Sequence, residues 1–409
     1  MKALTKILLP VLAAFVLSGC LKDKMTRTYT IFTPVYKNKQ DVLREVSSKP
    51  ARSIETPGKI YVYGNYLFVN EINKGVHVID NSNPSNPVNK SFINIPGNLD
   101  IAVKGNTLFA DLYRDMIALD ISNPLAAHIT STSENVFPDR NSNSLVYFAI
   151  DTSTYLVDWI KKDTTVPYSD VFECSGCLAF NTAATSSASP IAGIAGSMSR
   201  FSVVNNYLYA VNTNSLKSFD INNPASPVKV NDMPLRMGLE TIYPFADKLF
   251  IGSTEGMFIY DISNPVSPHY LSGFSHARVC DPVITDGDYA YVTLRASTAC
   301  GTAIKSQLNI IDIKQMNMPK LVGQYDMSNP YGLGKDGSLL WICDGRAGLK
   351  MYDATDPGAI KLKKTVAGIE PYDVIPYNGK LIVSAKEGII QYDYSQPGQM
   401  TELSRLKKN

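Results

Sequence analysis

The chain has 409 residues, 44% hydrophobic and 19% charged, and its 39 Lys and Arg against 37 Asp and Glu leave a formal charge of +2. These are the proportions of a folded globular protein, not of a disordered or fibrous one. A nearly neutral chain offers no broad basic footprint, so nucleic acid is not expected as a partner.

The N-terminal segment has a different character. Lys2 and Lys6 precede an eleven-residue apolar run, Ile7–Leu17, and then Ser18, Gly19 and Cys20. A basic start, a short apolar core and small residues before a cleavage point predict a secretory signal over 1–19. Such a run is well short of the roughly 20 residues that cross a bilayer as a helix. The stretch Leu17-Ser-Gly-Cys20 resembles the lipobox of bacterial lipoproteins. That resemblance implies that Cys20 is the first mature residue and carries a lipid. With Leu21 where an inner-membrane retention signal would place aspartate, it implies attachment to the outer membrane or cell surface. Residues 20–57 read as a tether. Over 22–49 its seven Lys and Arg face only Asp23, Asp41 and Glu45, a balance that suits a solvated segment or contact with anionic headgroups.

From residue 58 to 409 the chain repeats itself. Seven strands end alike, among them Val76-His-Val-Ile-Asp80, Met257-Phe-Ile-Tyr-Asp261 and Leu349-Lys-Met-Tyr-Asp353, with the other aspartates at 120, 220, 312 and 393. Most are followed by a turn such as Asn81-Ser-Asn-Pro84 or Ile262-Ser-Asn-Pro265. Upstream of each lies another strand, entered through a tight turn such as Gly64-Asn65, Gly105-Asn106, Ala246-Asp247 or Asn378-Gly379. Gly and Asn accept the positive φ that two-residue hairpins need, and Asp and Asn hydrogen-bond their own turn backbone. Each unit of about forty residues is therefore four short strands. Such a meander buries both faces only by packing radially, so the fold predicted is all-β, a β-propeller. The aspartates are predicted to close turns and not to do chemistry.

The recurring Val-Ile-Asp followed by Asn-Pro resembles the LVIVD-repeat proteins, propellers of bacterial and archaeal surfaces. The resemblance covers 58–397 outside one insertion and brings no catalytic residues with it. By fold and anchor the chain is also similar to the propeller lipoprotein of the outer-membrane assembly machinery.

The aspartate spacings are 40, 100, 41, 51, 41 and 40 residues. The long one predicts an insertion at about 131–197, with Leu145–Ile150 and Tyr155–Ile160 as a hairpin. Seven turns match seven aspartates, which favours seven blades. An eighth, degenerate blade is the alternative, with Ile160 in the aspartate's place. Cys174 and Cys177 lie in this insertion without a second cysteine pair or nearby histidines, so a local disulfide or loop thiols suit them better than metal or redox chemistry.

Of the remaining cysteines, Cys343 falls at a strand position held elsewhere by small residues and is predicted to be buried and inert. Cys280 stands before strand one of its blade, and Cys300 lies in the lengthened loop after strand two. Antiparallel strands bring those sites to one end, so a Cys280–Cys300 disulfide is expected.

That end also carries the irregular loops, where function concentrates on a rigid scaffold. The binding candidates there are Arg114, Glu240, His276, Arg278, Arg295, Tyr331, Arg346, Glu370 and Tyr372. Metal, phosphate and nucleophile motifs are missing from the sequence, and no cofactor is expected. The function expected is a non-enzymatic binding or scaffold module for a protein or glycan. The alternative is a carbohydrate-active enzyme using acids of the varied face, such as Glu240, Asp281 and Glu370.

Overall fold

The computed structural model describes residues 26–141, 151–167, 199–235, 238–275, 282–296, 305–396 and 399–408. Seven four-stranded blades form a propeller. In chain order they occupy 57–94, 101–133, 201–234, 239–275, 283–327, 333–366 and 371–407. All strand pairs within the blades are antiparallel. Strands two and three are buried almost throughout, as in Thr107–Leu112 and Gly256–Asp261. Both their faces are covered by neighbouring blades, which is why these strands read as continuous apolar runs. Strand four is the outer rim, and Val228–Pro234 is mostly exposed.

In all seven blades the pairing of strands three and four slips by one residue next to the aspartate end. The extra residues are Lys90, Thr130, Val230, Leu271, Val322, Lys363 and Leu403. A bulge of this kind sharpens the local twist, which lets the outer strand turn away from the radial direction.

Each blade is one continuous run of chain, so no strand exchange closes the ring. Side chains do. Ile382 and Ile389 of blade seven share a buried cluster with Ile60, Leu67 and Ile79 of blade one. Gln391 Nε2 donates to Asn81 Oδ1 at 2.7 Å, and Ser404 Oγ donates to the Pro84 carbonyl at 2.6 Å.

One expectation for the N-terminal half needs correction. The chain divides into two compact units, 1–36 with 156–185, and 37–155 with 186–409. Within the larger unit, residues 37–50 are not a free tether. Lys39–Glu45 is a helix capped by Asn38, whose side chain accepts from Gln40 N, and Val42 is fully buried. Ser47–Pro50 adds a fifth strand to blade one beside Val88–Asn94. Burial here rests on a few side chains, too few to give a readable period.

Part of the insertion is described: Thr154–Pro167 pairs with Thr26–Asn38 in a two-stranded sheet, and Leu145–Ile150, its expected hairpin partner, lies outside the described residues. Thr28 meets Thr165 and Thr30 meets Asp163, so the two strands run antiparallel. Alternation marks a strand but does not say what it pairs with.

Candidate functional site

One end of the propeller is regular. The carboxylates of Asp80, Asp120, Asp220, Asp261, Asp312, Asp353 and Asp393 each accept from the backbone N–H two residues on, at 2.7–3.1 Å. A hydroxyl at that second position adds a bond in five blades, as Ser263 Oγ does to Asp261 at 2.6 Å. These bonds to the ionised form hold Asp80, Asp120 and Asp261 below the usual carboxylate range, and Asp353 at about 2. They close turns, as expected. The hairpin turns between strands one and two take positive φ at Gly64, Gly105, Asn205, Ala246, Gly287, Gly337, Asn378 and Gly379.

The other end looks rich in acids, yet four of its buried carboxylates, those of Glu71, Asp100, Asp111 and Asp344, also serve the backbone. Glu71 accepts from Glu55 N at 3.1 Å, from Thr56 and from His77 Nε2 at 2.9 Å. Burial alone would raise its pKa, but these donors hold it at about 2. Asp100 accepts from Phe201 N at 3.1 Å in the next blade and pairs with Lys59 at 2.5 Å. Asp111 accepts from Asn98 Nδ2, Leu99 N and Asp100 N and contacts the Arg140 guanidinium. Asp344 accepts from Ser328 N at 2.9 Å, Asn329 N at 2.8 Å and Lys350 Nζ at 2.5 Å. Each ties the segment leading into strand one to its own or a neighbouring blade.

Among the sequence candidates, Arg114 leaves the set. It is buried, donates to the Asp151 carbonyl at 3.2 Å, and lies over the Tyr155 ring. Tyr155 in turn donates to Asp115, which also holds Lys39 at 2.8 Å. Nothing in its sequence neighbourhood announced that residues 151–155 would cover it. Glu240 is half-buried at the start of strand one of blade four. His276, Arg278, Cys280, Cys300, Cys20, Cys174, Cys177 and Asp281 lie outside the described residues. Cys343 is a free, buried thiol whose pKa burial pushes well up.

The remaining candidates come together across three blades. The Arg295 guanidinium lies 4.4 Å from the centroid of the Tyr331 ring, and Tyr331 meets Tyr372 edge to face at 5.5 Å. Tyr372 packs on toward Ile72 and Leu99, from the loops of blades one and two. Beside it, Glu370 bonds Lys386 at 3.1 Å and has Arg346 at 3.9 Å. Arg346 is 89% exposed, so this flank faces solvent. Tyr331 and Tyr372 are half-buried, and burial together with Glu370 raises the Tyr372 phenol to about 12, leaving it a neutral donor at physiological pH. The arrangement is a rigid aromatic and cationic strip, suited to stacking and to hydrogen bonding.

Sequence reading missed a second feature. Strand one of every blade lines a central cavity of about 740 Å³, with Lys59, Tyr61, Ser202, Tyr243, Asp286 and Lys335 among its polar residues. Lys59 pairs with Asp100, and Lys335 with Asp286 at 2.9 Å, so these charges compensate locally. The Ser202 hydroxyl is buried without a partner. These positions had read simply as apolar-periodic strands. Which edges converge on an axis is a property of the ring.

Compared with protein families, the chain matches the LVIVD repeat over residues 58–94, 98–129, 195–232 and 249–273. Those matches fall on blades one to four. Among curated proteins no sequence matches. Among solved structures the chain is similar to the computationally designed protein Ika8, with 9% identity over 89% of this chain and 91% of that one, at a TM-score of 0.53. It is likewise similar to the WD40 domain of Neurospora crassa Pan2, with 9% identity, 88% and 98% coverage and a TM-score of 0.54. BamB from Moraxella catarrhalis aligns with 8% identity, 88% and 97% coverage and a TM-score of 0.50. At such identities the likeness is one of fold.

Proposed function

We propose that this LVIVD-repeat propeller is a non-enzymatic binding or scaffold module that engages a protein or glycan through the strip Arg295–Tyr331–Tyr372 and its Arg346–Glu370 flank. The observation that carries the reading is the contrast on that end of the ring. The buried acids Glu71, Asp100, Asp111 and Asp344 are occupied with backbone, while an arginine and two tyrosines pack in a row. Tyr and Arg on a rigid support are the residue types that dominate binding energy at interfaces. Glu370 is engaged by Lys386 and Arg346, which argues against its serving as a glycosidase acid.

The proposal includes export and lipid attachment at Cys20, on the outer membrane or cell surface. Its support is the order of charge, apolar core, small residues and cysteine over 1–20.

The test places a photoreactive residue at position 346 in one sample and at position 63, in a strand-one turn at the opposite end, in another. A saturable crosslink from 346 alone, weakened about tenfold or more by Tyr331→Ala with Tyr372→Ala, is the outcome expected. A ligand reached equally from 63 overturns the choice of face. Turnover of a glycan that disappears with Glu370→Gln overturns the non-enzymatic reading.

A further inference from the structure

The two-stranded sheet of Thr26–Asn38 and Thr154–Pro167 leaves apolar side chains exposed among the described residues. From the pairing of Thr28 with Thr165 and Thr30 with Asp163, one face carries Phe32, Tyr36 and Trp159, and the other Ile31 and Ile160. Two strands alone cannot bury both faces. Ile31 and Tyr36 are each 49% exposed and Ile160 57%. The Lys161 ammonium lies 5.6 Å from the centroid of the Phe32 ring, across the pair.

We infer that this ribbon docks on a lipid surface, seating its aromatic and isoleucine side chains in the headgroup region of the membrane that holds the protein. Three observations converge. The first is residue type. The ribbon combines Phe32, Tyr36 and Trp159 with Lys37, Lys161 and Lys162, residue types that the membrane–water interface favours, because rings sit at headgroup depth while lysine stems reach back to phosphate. The second is exposure, since Tyr36 on one face and Ile31 and Ile160 on the other are open to solvent. The third is chain continuity. Thr26 follows Cys20 by six residues, a reach of at most about 20 Å.

Among the described residues the ribbon pairs with no third strand, so it is placed in the wet interface and not in the hydrocarbon, where unpaired N–H and C=O groups are too costly. An interfacial contact a few residues from the anchor would limit the freedom of the tethered chain and orient it on the membrane.

The inference rests on the lipid attachment proposed above, and the experiment separates the two. The chain has two tryptophans, Trp159 in the ribbon and Trp341 fully buried in the propeller. Mature protein purified from membranes is reconstituted into phosphatidylethanolamine–phosphatidylglycerol vesicles containing brominated acyl chains, and tryptophan quenching is followed. The expected result is loss and blue shift of the Trp159 emission. Trp159→Phe should remove the quenchable component. Ile31→Ser with Ile160→Ser, both at exposed sites, should reduce it without lowering the thermal midpoint. Anchored protein whose Trp159 is unquenched overturns the inference and leaves the anchor standing. So does a Trp159 that is shielded from aqueous iodide in native membranes but not in vesicles of lipid alone, because a protein would then be the cover. Acyl labelling that fails at Cys20, alongside quenching of Trp159, refutes the anchor and keeps the ribbon.

Discussion

Asp344 and Asp353 stand nine positions apart in one blade, at opposite ends of the ring, and the same side chain does different work in each. Asp353 accepts from Thr355 N at 3.0 Å, two residues away, and remains open to solvent. Asp344 is fully buried and accepts from Ser328 and Asn329, fifteen or sixteen residues upstream, and from Lys350. A turn aspartate solves a problem that its own neighbours create. A loop-end aspartate solves one created by the return of the chain from the rim to the axis. The regular end is therefore uniform and replaceable, and the varied end is held by individual ties of unequal importance.

Substitutions can sharpen that contrast. Asp344→Ala should be the most damaging, because it strands a mostly buried Lys350 ammonium and two N–H groups. A loss of about 3 kcal/mol or more is expected, read as a fall in the denaturation midpoint. A midpoint near that of the parent would mean that the loop ends are no more dependent on their acids than the turns are.

The second test uses pH. The Glu71 carboxyl has its pKa lowered from 4.5 to about 2 in the folded chain. Its contribution is complete above about pH 4.5, where folded and unfolded forms are both ionised. It is lost as pH falls toward 2, because the unfolded chain takes up the proton first. Thermal midpoints should drop across that window, and Glu71→Gln should flatten the drop while lowering the plateau. An unchanged slope in the variant would show that other acids govern it.

Asp261→Ala removes a turn bond that is partly open to water, and should cost about 1 kcal/mol with ligand capture unaltered once the protein is folded. Abolished capture at normal stability would make the regular end a site.

The smallest effect should be a gain. Ala246 occupies a turn position with φ of 50°, where the other blades use Gly or Asn. Ala246→Gly relieves the Cβ strain and should raise stability by up to about 1 kcal/mol, measured as a small upward shift in midpoint. A decrease would show that Ala246 makes compensating contacts.

The candidate site divides along the same line. Arg295, Tyr331, Arg346, Glu370 and Tyr372 were found because they lie in loops that depart from the repeat. Their assembly into a strip was not legible, since each pair comes from adjacent blades or adjacent loops whose approach depends on ring closure. Arg114 looked equivalent to them and is buried, because residues far along the chain fold back over it. The cavity residues escaped notice for the opposite reason: Tyr243 and Lys335 belong to strand-one stretches that look like ordinary blade.

What the amino-acid order determined alone is everything whose partners are a few residues apart. Asp and Asn at fixed offsets close turns, Gly and Asn take positive φ, and apolar runs of strand length alternate with them seven times, so the propeller could be read directly and seven blades favoured over eight. Only the tertiary structure decided the pairing of Thr26–Asn38 with Thr154–Pro167, the seating of Ser47–Pro50 beside blade one, and the closure of blade seven on blade one through Gln391 and Asn81. Strand periodicity specifies which face is buried and is silent about the partner. Partners this far apart in the chain are selected by the free energy of the whole fold, not by any local preference.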